Sequence, residues 1–162
     1  MNLMMNYSVR LKDKMNLLFA VISLSLGSTE LYAQDSNLSQ TSALAISLEE
    51  LNWGQAGGGN GFPVGVRTAR QGTDPITGGV TYYAMFPSGS HFDLHWHTHD
   101  EYVVVVQGTV TIQLGTETHS LSIGSYIIIP GKLNHSWDIP TDEDAIILVR
   151  RAGPADFHFA EE

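Results

Sequence analysis

Short apolar or alternating stretches recur along the chain from Pro63 onward, and turn residues such as glycine, proline and serine separate them. Stretches of this length with turn residues at both ends are typical of β-strands. The pattern predicts seven or eight strands and no long helix, with strands at residues 64–70, 80–86, 102–107, 109–114, 125–129, 135–139 and 145–151. So many short strands in one chain indicate an all-β fold, either a sandwich or a barrel.

The predicted strands are of two kinds. Residues 109–114 alternate, with Val110, Ile112 and Leu114 on one face and polar side chains on the other, which predicts one face in contact with water. Strands of the other kind are apolar on both faces and comprise residues 103–106, 127–129 and 145–149. Because such strands need cover on both faces, we expect a second sheet or a second copy of the chain against their outer face, and hence a homodimer.

Composition limits the classes of function. Of the 162 residues, 43% are hydrophobic and 15% are charged, which is typical of one globular domain and excludes a disordered chain. The formal net charge of −9 argues against binding to nucleic acid or to an anionic membrane surface. The absence of cysteine excludes disulfides, cysteine zinc sites and thiol nucleophiles.

The N-terminal region has the layout of a secretory signal peptide. Arg10, Lys12 and Lys14 precede an apolar run at residues 17–26, and the small residue Ala33 follows at the expected cleavage position. A bilayer span needs about 20 apolar residues, so this run is too short for a transmembrane helix; an uncleaved anchor is the alternative. We predict a leader comprising residues 1–33, and a mature protein that is periplasmic or secreted and free of the membrane.

The remainder divides into three predicted parts. Residues 34–62 form a linker and lead-in, residues 63–153 the β-domain, and residues 154–162 a polar C-terminal tail. The lead-in contains a glycine-rich segment at residues 55–61. This segment lacks the lysine of a phosphate-binding loop and no helix pattern follows it, so a flexible loop is the preferred interpretation.

The candidate chemistry lies in the middle of the chain, where four of the seven histidines fall within nine positions: His91, His95, His97 and His99. Side chains alternate along an extended chain, so His95 and His97 point the same way, and Glu101 has the same parity at the start of the next strand. Imidazole and carboxylate ligands suit one divalent ion of iron, manganese, nickel, zinc or copper. A loose histidine-rich chelator is the alternative.

The spacing around these residues resembles a known motif. Gly89, five residues, His95, one residue, His97, three residues, Glu101, six residues and Gly108 resemble the first conserved motif of the cupin superfamily at every fixed position. The resemblance implies a jelly-roll barrel, also called a double-stranded β-helix, made of two antiparallel sheets. It also implies a metal ion near the wider mouth of that barrel.

A second block resembles the second cupin motif. Gly124, five residues, Pro130 and then His135 match its order, and the resemblance implies that His135 is the fourth ligand beside the two histidines and the glutamate of the first motif. Two positions depart from the pattern: Lys132 stands where the family usually has glycine, and Ile139 where it has asparagine. These departures concern the loop around His135.

Three functions are open for such a metal site. The first is a dioxygenase-type oxidoreductase, with iron or manganese favoured, acting on a small and largely apolar molecule. Parity supports an apolar pocket, because Val103 and Val105 point inward if Glu101 does, and Trp137 points inward if His135 does. The other two are a non-redox enzyme and a binding module for a metal or small molecule without turnover.

The second function is a non-redox lyase, decarboxylase or isomerase, which needs an acid or base beside the metal. The candidates are Tyr82 or Tyr83, His91, Asp93 and His99. His99 shares the parity of His95 and is an alternative ligand. Arg67 and Arg70 lie on a predicted strand and could hold a substrate carboxylate, with surface or dimer salt bridges as the preferred interpretation. The remaining polar residues have ordinary interpretations as surface groups or, for the arginines, as salt-bridge partners: Arg150, Arg151, His119 and His158.

Overall fold

The computed structural model describes residues 43–160 of the chain. The regular structure in that range is one turn of 3-10 helix at Leu48–Glu50 and the strands β1 (Arg67–Thr73), β2 (Val80–Phe86), β3 (His91–Trp96), β4 (Glu101–Gln107), β5 (Thr109–Leu114), β6 (Glu117–Ser122), β7 (Tyr126–Ile129), β8 (His135–Asp138), β9 (Ala145–Arg151) and β10 (His158–Phe159). The predicted leader lies outside the described residues. Between residues 43 and 160, no helix is long and apolar enough to cross a membrane.

The strands form two five-stranded antiparallel sheets, in the orders β1-β2-β9-β4-β7 and β10-β3-β8-β5-β6. Their inner faces pack against each other and enclose the core. One sheet contributes Val103, Val105 and Val149 to this core, and the other contributes Ile112 and Trp137. The predicted all-β jelly-roll barrel is confirmed.

Three strands rich in polar residues, β3, β6 and β10, are not predicted by the pattern of apolar positions. β6 and β10 lie at the two edges of their sheet. An edge strand has one neighbour and a solvated face, so it needs few apolar side chains and gives a weak periodic signal. β3 gives little signal for the same reason, since His91, Asp93 and His95 interrupt its apolar positions. At the other end of the domain, β1 begins at Arg67 rather than at residue 64.

The strand register between β3 and β8 shifts between Phe92 and His95. Both of these side chains are buried although they are three positions apart, whereas Asp93 and Leu94 between them are exposed. An irregularity of this kind changes which residues of a strand point inward. In β3, odd-numbered positions therefore point outward before the shift and inward after it.

After β9 the chain packs against the second sheet, which differs from the predicted polar tail. β10 pairs with β3, with His158 opposite Trp96 and Phe159 opposite His95. The rings of His158 and Trp96 stack with centroids 3.9 Å apart. The sequence predicts a polar tail, but this segment contains two apolar side chains, Phe157 and Phe159. Both contact the ring of Phe62.

The outer face of the first sheet carries apolar side chains. Tyr126 and Ile128 are exposed there, and Val104 and Leu148 are partly exposed. The second sheet covers only the inner face of the first. The homodimer that would cover this outer face stays a prediction.

Candidate metal centre

Four polar side chains converge inside the barrel. His95 lies in β3, His97 directly follows that strand, Glu101 begins β4 and His135 begins β8. All four are buried. Cross-strand pairing places His95 opposite His135 with ring centroids 4.2 Å apart. The ring of His97 lies 4.9 Å from that of His95 and 5.0 Å from that of His135, so the fold brings the two sequence motifs together.

Hydrogen bonds fix the tautomer of the three histidines. Each Nδ1 donates to a backbone carbonyl: His95 to Asp93 at 2.7 Å, His97 to Asp156 at 2.7 Å and His135 to Leu133 at 3.0 Å. Because a carbonyl oxygen can only accept, Nδ1 carries the proton, and Nε2 of the neutral ring keeps its lone pair. A backbone acceptor on Nδ1 is the usual support of a histidine that binds a metal through Nε2.

The donor set fits a metal ion. One ring nitrogen from each of His95, His97 and His135 lies within 4.8 Å of the others. The buried Nε2 atoms of His97 and His135 have no hydrogen-bond partner in residues 43–160, and they lie 3.2 and 3.8 Å from Oε2 of Glu101. Buried acceptors that face one another are costly unless a cation lies between them. These three histidines could therefore hold a metal ion.

The protonation states of the site suit a cation. Burial lowers the pKa of His95 to about 3, with a further contribution from His135, and burial also lowers the pKa of His135. Burial alone would raise the pKa of Glu101, but the contact with His97 and the charge of Arg151 outweigh it and lower that pKa to about 2. At neutral pH the site therefore offers neutral imidazoles at His95 and His135 and an ionised carboxylate at Glu101, the forms that bind metals.

The turn before His135 keeps its geometry despite the departure at Lys132. Lys132 adopts a φ of 66°, in the left-handed region that glycine favours. Its backbone N–H donates to the carbonyl of His97 at 2.7 Å, which ties this turn to the first motif. A Cβ atom on Gly131 would lie 2.6 Å from the carbonyl oxygen of Thr98, so glycine is required there because the two turns pack closely.

Arg151 is a buried part of the site, and its prediction as a surface residue is wrong. It lies opposite Glu101 in the register of β4 and β9 and is 1% exposed. Its Nη2 lies 3.4 Å from Oε1 of Glu101 and donates to the hydroxyl of Tyr82 at 3.2 Å. Its Nη1 donates to the carbonyl of Asp156 at 3.3 Å. Arg151 shares the inward parity of Val149, but the apolar residues on both faces of β9 obscure that parity in the sequence.

A cavity of about 300 Å³ adjoins the histidines. Its walls are largely aromatic and include Phe62, Phe86, Phe92, Trp137 and Phe157. Its polar groups include Tyr82, Arg151 and Glu101, together with Arg70. Trp137 lines the cavity as parity predicts, whereas Val103 and Val105 lie in the packed core. A small cavity with apolar walls and a few polar groups is typical of a small-molecule site.

The comparisons with known proteins agree with this architecture. Residues 82–150 match a family described as Cupin domain. This match supports the cupin superfamily. The matched segment includes Glu101, His135 and both histidines of the first motif, but it excludes Arg151 and everything after β9.

Among curated proteins, the uncharacterized protein y4oW of Sinorhizobium fredii is 32% identical over 78 residues, which are 48% of this chain and 33% of that protein. The chain thus spans about a third of that relative's length. Among solved structures, a cupin-2 domain from Rhodospirillum rubrum aligns with a TM-score of 0.61 at 16% identity, over 75% of this chain and 82% of that one. The polyketide cyclase RemF from Streptomyces resistomycificus aligns with a TM-score of 0.59 at 12% identity, over 75% and 87%. At these identities the structures show a shared fold alone.

The tyrosine and histidine candidates for acid or base chemistry occupy different places in the barrel. Tyr82 lines the cavity, whereas its neighbour Tyr83 has the opposite parity in β2 and is not among the lining residues. The ring of His99 lies against Gly153 and does not belong to the group of three histidines. Of these residues, the cavity wall therefore includes only Tyr82.

His91 and Asp93 lie outside the barrel mouth. Nδ1 of His91 is 2.6 Å from Oδ1 of Asp138, and its Nε2 is 3.6 Å from Oδ1 of Asp93. Both residues line a separate surface depression with Phe159. The shift in the register of β3 is the reason, because it turns His91 outward and His95 inward.

The two remaining histidines lie away from the cavity wall. His119, in the edge strand β6, has Nε2 3.5 Å from Oε2 of Glu117. His158 is half-buried rather than solvated, and its Nε2 lies 3.1 Å from Oδ2 of Asp156. The second carboxylate oxygen of Asp156 accepts a hydrogen bond from the backbone of Thr98 at 3.0 Å. The sequence does not identify Asp156 as part of the site, because its backbone carbonyl and not its side chain orients His97.

Proposed function

We propose that this protein is a mononuclear metal cupin that binds a small, largely apolar molecule, with His95, His97, Glu101 and His135 as the ligands. The observation that carries the proposal is the convergence of unpartnered Nε2 atoms on a buried, ionised carboxylate. A cation between these atoms would satisfy the Nε2 lone pairs and the carboxylate together, while each Nδ1 donates to a carbonyl.

Glu101 has two roles in this proposal. Its Oε2 faces the histidines and supplies a negative charge to the ion, while its Oε1 is held near Nη2 of Arg151 at 3.4 Å. An ion held by His95, His97, Glu101 and His135 could also take water or a small molecule as a ligand from the cavity. An ion held there would polarise a bound oxygen or lower the pKa of a bound water, and iron or manganese would also support reaction with dioxygen.

We further propose a dioxygenase-type reaction, with dioxygen as the oxidant. The cavity supports this because its walls offer little acid or base chemistry apart from the ligands. Burial raises the pKa of the Tyr82 hydroxyl, and the negative charge of Glu101 raises it further. Tyr82 therefore stays protonated at neutral pH and is poorly suited to act as an acid or a base, which disfavours the non-redox lyase, decarboxylase or isomerase that would need such a group.

The experiment combines metal analysis with oxygen uptake. The protein is purified from its natural compartment and its metal content is measured, and oxygen consumption is then followed with catechol-like and diketone substrates. We expect bound iron or manganese and substrate-dependent uptake. A zinc-loaded protein without uptake would favour the non-redox alternative. The binding module would be favoured if the metal is present, no substrate of the panel causes oxygen uptake, and substrates only shift the melting temperature.

We also propose export and self-association for this protein. Export is supported by the basic and apolar pattern of residues 1–33 and is tested by N-terminal sequencing of the mature protein. A homodimer is supported by the exposed Tyr126 and Ile128 on the outer face of the first sheet. Substituting both with serine should convert a dimer to a monomer in sedimentation analysis, and a wild-type monomer would contradict the proposal.

A further inference from the structure

The charges around the cavity do not balance once the proposed ion is present. Of the buried groups, Glu101 contributes one negative charge and Arg151 one positive charge, and each of the three imidazoles would bind the ion as a neutral ligand through its Nε2 lone pair. A divalent ion then leaves an excess of two positive charges beside aromatic walls. Uncompensated charge next to an apolar cavity is costly, so the site favours an anionic ligand.

Arg151 is built to accept such a ligand. Its three recorded partners, Glu101, Tyr82 and the carbonyl of Asp156, all contact the Nη atoms. Its Nε is buried and has no hydrogen-bond partner among the described residues. A buried N–H of a charged group without an acceptor is rare in folded proteins, and Arg151 lines the cavity. An oxygen of a bound molecule would supply the missing acceptor.

The walls limit the body of the ligand. Phe92 and Phe157 both lie beside the rings of the metal-site histidines: Phe92 stacks on His95 with centroids 4.0 Å apart, and Phe157 meets His97 edge to face at 4.8 Å. Phe157 also lies beneath the guanidinium of Arg151, with the ring centroid 4.8 Å from Cζ. Aromatic surfaces of this kind favour a flat apolar body, and a volume of about 300 Å³ admits only a small one.

From these observations we infer that the ligand is a small aromatic acid, anionic at neutral pH, whose anionic oxygen accepts a hydrogen bond from Nε of Arg151 and whose ring lies against Phe92 and Phe157. This inference rests on the proposed function and names the class of molecule that the same site takes. Arg151 is a specificity-determining residue in this inference, because it selects the anion over its neutral analogue.

The test measures binding rather than turnover. The protein is loaded with zinc, and benzoate, benzamide and acetate are titrated by calorimetry. We expect benzoate to bind about tenfold or more tightly than benzamide, as the loss of one charge-assisted hydrogen bond implies. Acetate should bind more weakly than benzoate. Equal affinity for benzoate and benzamide would contradict the inference that the ligand is an anion. Equal affinity for benzoate and acetate would contradict the inference that it is aromatic.

Two adjacent arginines give a matched pair of variants. Arg150 points outward beside Asp74, with Nη2 3.6 Å from its carboxylate, so Arg150→Met should keep the preference for benzoate. Arg151→Met should lose most of it. Arg151→Lys keeps the charge but lacks Nε, and it should lose an intermediate part. A preference that survives Arg151→Met, or that disappears in Arg70→Met at the cavity rim instead, overturns the role of Arg151.

Failure of the inference can be told apart from failure of the proposed function. Zinc content is measured in every sample before titration. A protein that holds zinc without preferring benzoate contradicts only the inference, whereas a wild type that holds no zinc, iron or manganese contradicts the proposed function. If neither Arg151 variant folds, the metal-free wild type decides, because the Nε of Arg151 should still favour benzoate over benzamide and an absent preference there overturns the inference.

Discussion

Two histidines, one in β3 and one just after it, each have a carboxylate close by, and their surroundings give these pairs different properties. In β3, His91 lies 2.6 Å from Asp138, and the two side chains are 51% and 63% exposed. Just after the strand, His97 lies 3.2 Å from Glu101, and these side chains are 2% and 6% exposed. The first pair is in water, where such contacts contribute little to the free energy of folding.

The second pair is removed from water, and the same contact has another meaning there. Water cannot satisfy the facing acceptors of His97 and Glu101, and the proton of His97 is held on Nδ1 by the carbonyl of Asp156. The buried pair, with its tautomer fixed, belongs to a group of residues that could hold a metal ion, whereas the exposed pair does not. Spacing in the sequence alone does not distinguish the two cases.

Removing one histidine from the metal-site group and one from the exposed pair should give the greatest difference in metal binding. His135→Ala deletes a proposed ligand and should weaken zinc binding by more than about 100-fold, beyond the effect of losing a supporting contact. His91→Ala should leave the affinity unchanged, because its ring lies in solvent with Asp138. Competition with a coloured chelator measures both. Similar losses in the two variants would mean a loose histidine-rich chelator.

A buried and an exposed carboxylate, Glu101 and Glu117, can be compared in the same way. Glu101→Gln is nearly isosteric but removes the negative charge, so we expect metal affinity to fall by about tenfold or more. Glu117→Gln, on the exposed edge strand β6, is the matched control and should have no effect. Calorimetric titration of zinc distinguishes them. An unchanged affinity in Glu101→Gln would place that carboxylate outside the ligand set.

Metal removal should have a moderate effect on stability. Binding to the folded state alone stabilises it by mass action, and a chelator removes that contribution. We expect the melting temperature of the wild type to fall by about 5–10 °C on chelation, and that of His91→Ala to fall equally. The melting temperature of His135→Ala should be insensitive to the chelator. A wild type that melts at the same temperature with and without chelator contradicts this prediction.

Substitution of His99 should have the least effect on metal binding, and it tests whether this residue belongs to the ligand set. His99→Ala should keep the full metal content, because the ring lies against Gly153 and not among the three histidines. Elemental analysis after identical dialysis of the variant and the wild type provides the measurement. A substantial loss of metal in His99→Ala would add this residue to the ligands.

Much of the fold and the set of site histidines was predictable from sequence, and the reasons are local. Alternation in β5 and apolar runs in β4 and β9 determine strands by themselves. The spacing of His95, His97 and Glu101 reflects a single strand end and the turn that follows it. The resemblance of the second motif added His135, which pairs with His95 across two strands.

The rest depends on features that are not local. The register shift in β3 separates His91 from His95 although both are odd-numbered, so parity counted along the chain misassigns one of them. The burial of Arg151 depends on its pairing with Glu101 across β4 and β9. The support of His97 by Asp156 comes from a backbone carbonyl 59 residues away, which no side-chain pattern can reveal.

That distant carbonyl also couples the candidate site to the chain that follows β9. A chain cut between Arg151 and Asp156 would keep the side chains of His95, His97, Glu101 and His135, but it would lose the acceptor that orients the ring of His97. Because such a partner fixes the tautomer and the direction of the imidazole, the segment after the last long strand governs the geometry of groups that lie far before it in the sequence.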